Sequence, residues 1–129
     1  MAYTEQTLVG TQKRLVKKFL VNSHSTAISF GVTGSAFANG LTGDVIAMTN
    51  GITANTAKLA AIKSSCNDRY LLTWAGNPGA TAFDSASSGT LDFIFERFTI
   101  PNNATTPTGV MSITPTGTVT GTIILEFVL

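Results

Sequence analysis

The chain has 129 residues, 43% of them hydrophobic and only 12% charged, and carries a net charge of +1. That is one domain's worth of sequence, long enough to bury a core without disulfide or metal staples. The near-neutral balance argues against a general nucleic-acid binder, which needs surplus Lys and Arg to displace counterions, and a single cysteine, Cys66, excludes an internal disulfide.

Residues 1–12 are polar apart from Tyr3, Leu8 and Val9, and read as an N-terminal arm or irregular lead-in, with a domain over 13–129. Residues 13–21 alternate Lys13, Leu15, Lys17, Phe19 and Val21 with Arg14, Val16, Lys18 and Leu20, which predicts a strand. Its cations Lys13, Arg14, Lys17 and Lys18 form the one basic cluster. They read either as a solvated strand face or as a contact for an acidic partner surface.

Residues 27–32 alternate well enough for a short strand, and residues 44–49 form another apolar run. Asn39-Gly40 and Asn50-Gly51 are turn signals, because both residue types tolerate positive φ. Residues 53–64 have alanines that favour helix, but Lys58, Ala60 and Ile62 alternate with Leu59, Ala61 and Lys63, so strand is preferred. After a turn at Cys66-Asn67-Asp68 comes a clear strand, with Tyr70, Leu72 and Trp74 on one face.

Gly76-Asn77-Pro78-Gly79 ends that strand, and residues 80–89 read as loop, with Phe83 the only large apolar side chain. Residues 91–98 predict a strand with Leu91, Phe93 and Phe95 inward. Thr106-Pro107-Thr108-Gly109 and its echo Thr114-Pro115-Thr116-Gly117 bracket a short strand from Val110. Residues 118–129 form a long β-prone end, with Ile123, Leu125, Phe127 and Leu129 on one face. Such an apolar strand has to be central in a sheet or paired with another chain. About seven or eight short strands with turn signals at close intervals predict an all-β, single-domain β-sandwich or jelly roll.

The inventory for catalysis is thin. His24 is the only histidine, and its neighbours Ser23 and Ser25 would point to the opposite face of a strand, so it reads as a solvated turn residue. One Cys and one His do not supply a zinc site, and the seven acids show neither a calcium-loop spacing nor an obvious carboxylate dyad. No P-loop or dinucleotide fingerprint is present. The sequence therefore points to no enzyme, no cofactor and no metal. No apolar run approaches the roughly 20 residues that span a bilayer, and residues 1–30 show no secretory signal pattern, so no membrane association is expected. Trp74 and Tyr70 read as core, with a sugar-stacking platform on a carbohydrate-binding module as the alternative.

Tyr70-Leu71-Leu72-Thr73-Trp74-Ala75 resembles the apolar strand around a Leu-Trp pair in small virion proteins of tailed bacteriophages. The order that follows is similar too: a polar loop, Leu91-Asp92-Phe93, the Asn-rich turn Pro101-Asn102-Asn103-Ala104, a Thr/Gly-rich hairpin from Thr108-Gly109, and the strand Thr122-Ile123-Ile124-Leu125-Glu126. The resemblance implies a capsid decoration or cement protein, made in the host cytoplasm and resident in the virion. Its partners would be the major capsid protein and other copies of itself as a dimer or trimer. A tail, fibre or pilus-like subunit is the alternative assembly role. Tyr3, Leu8, Val9, Lys13, Arg14, Lys17 and Lys18 are the candidate interface residues.

Overall fold

A computed structural model describes residues 2–10, 14–32, 57–94 and 99–128. The chain is all-β, two antiparallel sheets packed as a sandwich. Nine strands are described: β1 (Ala2–Gly10), β2 (Arg14–His24), β3 (Ile28–Gly31), β4 (Lys58–Cys66), β5 (Tyr70–Trp74), β6 (Ala80–Asp84), β7 (Gly89–Ile94), β8 (Val110–Pro115) and β9 (Val119–Val128). One sheet has the order β1-β2-β9-β4-β7 and the other β3-β8-β5-β6.

The alternating pattern of β9 explains its place. Ile123, Leu125 and Phe127 are fully buried, and the strand lies between β2 and β4, so its backbone is paired on both sides within this chain. Gly121 of β9 stands opposite Val21 on one side and Cys66 on the other. A Cβ there would meet the Ser65 carbonyl oxygen and come within 2.8 Å of the Cys66 Cα, so only glycine lets β4 approach this closely.

Aromatic contacts join the two layers. Phe19 on β2 packs against Phe30 on β3 with ring centroids 4.9 Å apart, and Phe127 on β9 meets Phe30 at 6.0 Å and Trp74 at 6.1 Å. The Tyr70 hydroxyl reaches across from β5 to the Ser64 hydroxyl of β4 at 2.6 Å, both groups buried. Full burial of a large apolar side chain contributes about 1.5–3 kcal/mol, so this interior is the main source of stability.

Four expectations change. Residues 2–10, read as an arm or lead-in, form β1, paired antiparallel with β2 from Ala2↔Asn22 to Gly10↔Leu15. An edge strand covered on one side needs few apolar residues, which is why its polar sequence hides it. Residues 80–84, read as loop, form edge strand β6 on β5. His24, read as a solvated turn residue, is only 7% exposed. A bulge between Val21 and His24, with Ser23 at φ 49°, inserts one residue into the alternation and turns the imidazole inward. Lys17, read with the solvated cluster, is 8% exposed, because it shares the inward face with Leu15 and Phe19. The expected strand over 44–49, both Asn-Gly turns and Phe95 lie outside the described residues.

Candidate interaction surface

Register places the outward residues of the five-stranded sheet in rows. One row runs Gln6, Lys18, Ile124, Lys63, Asp92, and the next runs Val9, Val16, Glu126, Ala61, Ile94. Beyond them Arg14 and Lys58 flank Val128. The result is a broad face in which aliphatic and charged side chains alternate. A shallow open cleft of about 320 Å³ lies over it, lined by Arg14, Val16, Lys63, Ile94, Ile124 and Glu126 among others.

Its electrostatics are uneven. Four cations, Arg14, Lys18, Lys58 and Lys63, share this face with two described acids, Asp92 and Glu126. Arg14 grips Glu126, the register partner of Val16, through Nε at 3.0 Å and Nη2 at 3.3 Å. Ile94 is 70% exposed at the β7 end, the most exposed large apolar side chain described.

The outward face of the other sheet is different. Ser29, Ser112, Thr73 and Thr81 form one row across it, and the Ser29 and Ser112 hydroxyls lie 3.0 Å apart. The ion pair at this sheet's edge, Arg69 to Asp84 at 2.6 Å, is self-contained. The guanidinium and the Ala86 N–H together hold the Asp84 carboxyl below its usual range. Asp84 thus caps its turn and ties β6 to β5.

The candidate interface residues divide between faces. Val9, Arg14 and Lys18 lie outward together on the five-stranded sheet. Leu8 is the bulged residue of β1, half-buried between Thr7 and Val9. Tyr3 sits on the inward side at the sheet edge, 44% exposed, with its ring edge-on to His24 at 5.1 Å. Lys17 pairs with Glu5, which lies diagonally across from it on β1. Lys13 lies outside the described residues. Lys58, Lys63, Ile94, Ile124 and Glu126 complete the outward face and were not singled out. Alternation puts each on a strand face, but only the pairing of β9 with β2 and β4, and of β4 with β7, brings them together.

Two chemical readings can be weighed against the geometry. Trp74 and Tyr70 are 0% and 1% exposed, so neither ring can stack on a sugar, and the carbohydrate-binding reading built on them falls. Among the described residues no three His, Cys, Asp or Glu side chains gather in a group that could hold a metal ion. Cys66 is buried, and burial pushes its thiol pKa up, away from thiolate reactivity.

Comparison with protein-family models, with curated proteins and with solved structures finds no match.

Proposed function

We propose that this chain is a virion structural protein that decorates and stabilises a tailed-phage capsid, with the major capsid protein as its partner. The carrying observation is the outward face of the five-stranded sheet, where exposed Ile94 and the aliphatic side chains Val16, Ala61 and Ile124 are interspersed with charges, the described cations outnumbering the described acids. A mixed aliphatic and charged face can serve a protein contact, and the surplus of described cations suits an acidic partner surface. The sequence resemblance at residues 70–75, 91–93 and 122–126 supports the same reading. The mechanism is physical: each copy buries this face across neighbouring capsid subunits, and repetition over a closed lattice turns modest contacts into avidity.

The test is co-sedimentation with capsids assembled from the major capsid protein. Reversing Lys18 and Lys63 to Glu should abolish capsid binding, while Thr73→Lys on the opposite face should leave it unchanged. Equal binding by both variants would refute this reading. A tail, fibre or pilus-like subunit is the second assembly reading, and the long edge strand β1 favours it. Tubes or rings formed by the purified chain alone would decide for it.

A further inference from the structure

The described strands leave four sheet edges, and β1 is the longest at nine residues, against six for β7, five for β6 and four for β3. Among the described residues only β2 is hydrogen-bonded to it. An exposed edge is a row of backbone donors and acceptors, normally guarded by Lys, Pro, shortness, a bulge or an inward-pointing charge. β1 has no Lys and no Pro, and its register is unbroken over residues 2–7, the bulge coming only between Thr7 and Val9. Its single charge, Glu5, is matched within the sheet by Lys17. Tyr3, Thr4 and Gln6 are exposed.

We propose that β1 pairs with β1 of a second copy, antiparallel across a two-fold axis, joining two five-stranded sheets into one. A strand is its own complement in this geometry, since each copy offers the other the same outward N–H and C=O groups. The side chains select the register. Centring on Glu5 sets two carboxylates directly opposite each other, which is unfavourable. Centring on Gln6 carries the pairing into the bulge at Leu8. Centring on Thr4 keeps it within residues 2–6, with Thr4 facing Thr4 of the partner subunit and Tyr3 facing Glu5 of the partner subunit. This surface is the sheet edge, distinct from the outward face assigned to capsid docking, and does not depend on that assignment.

The test uses native mass spectrometry of the purified chain with variants at Thr4. The unaltered chain should be a dimer. Thr4→Lys and Thr4→Glu should each be folded monomers whose melting temperature no longer depends on protein concentration, and mixing the two should restore a heterodimer. Thr4→Cys should give a disulfide-linked dimer on oxidation, because directly opposed Cα atoms lie about 4.5–5.5 Å apart, within disulfide reach. A monomeric unaltered chain, a dimer that persists in Thr4→Lys, or an oxidised Thr4→Cys without cross-link would each overturn the proposal.

Discussion

The inner and outer faces of the five-stranded sheet are built from alternate residues of the same strands, and they differ in kind. On β9 the inward Ile123, Leu125 and Phe127 are sealed against the second sheet, while the outward Ile124 and Glu126 stay partly exposed. On β2 the inward Leu15 and Phe19 are fully buried, while Arg14 and Leu20 remain exposed. A period of two therefore separates the residues sealed in the interior from those that stay at least partly exposed, with buried Val16 the exception on the outward face. Among the described residues Lys17 is the one cation that crosses the line, and Glu5 matches it there.

Substitutions on the two faces should then have opposite signatures. The largest effect belongs to the interior: Trp74→Ala should cost about 3–5 kcal/mol in a urea titration, because a fully buried indole leaves a cavity. An unfolding midpoint unchanged by that substitution would contradict the inward packing of β5. Next, Gly121→Ala should cost about 1–3 kcal/mol, since the added carbon has to push β4 away from β9. Glu5→Gln should cost about 1–3 kcal/mol by stranding the Lys17 ammonium, whereas replacing both residues with apolar ones should recover most of the loss.

Alkaline pH probes the inner face from another side. Burial, partly offset by the bond to Ser64, pushes the Tyr70 hydroxyl pKa up from 10.0 to about 12. The folded pKa lies above the unfolded one, so this stabilisation is complete below about pH 10 and is lost as pH rises through about 12. Cys66 adds a loss of the same sign, so the informative quantity is the difference between Tyr70→Phe and the unaltered chain. The variant should show a flatter alkaline limb and, at neutral pH, a cost of about 1 kcal/mol for the Ser64 hydroxyl it leaves unpaired. Identical alkaline limbs would contradict the buried hydroxyl pair.

Much of this division was legible in the sequence, and the failures have physical causes. The strands of β2, β5 and β9 could be read because both layers of the sandwich demand alternation there. β1 and β6 were misread as arm and loop because edge strands need little apolar patterning: β1 has only Tyr3, Leu8 and Val9 as large apolar residues, and β6 only Phe83. His24 was misplaced because the bulge at Ser23 shifts the alternation by one residue, which no local composition announces. Lys17 already stood in the Leu15–Phe19 series, and reading it as solvated gave charge more weight than register. The outward face itself was invisible, because it depends on which strands are neighbours. Lys18, Ile124 and Lys63 are far apart in the chain and adjacent only once β9 enters between β2 and β4.

The smallest expected effect on stability carries the most weight for function. Lys18→Glu with Lys63→Glu should change the unfolding free energy by less than about 1 kcal/mol, the main loss being the carboxylate that Lys63→Glu sets opposite Asp92. Co-sedimentation of that double variant with assembled capsids is therefore the most direct measurement of whether the outward face of the five-stranded sheet is the binding surface. A folded variant that stays in the supernatant, while the unaltered chain pellets with the particles, is the result expected. A folded variant that pellets as fully as the unaltered chain would contradict the account.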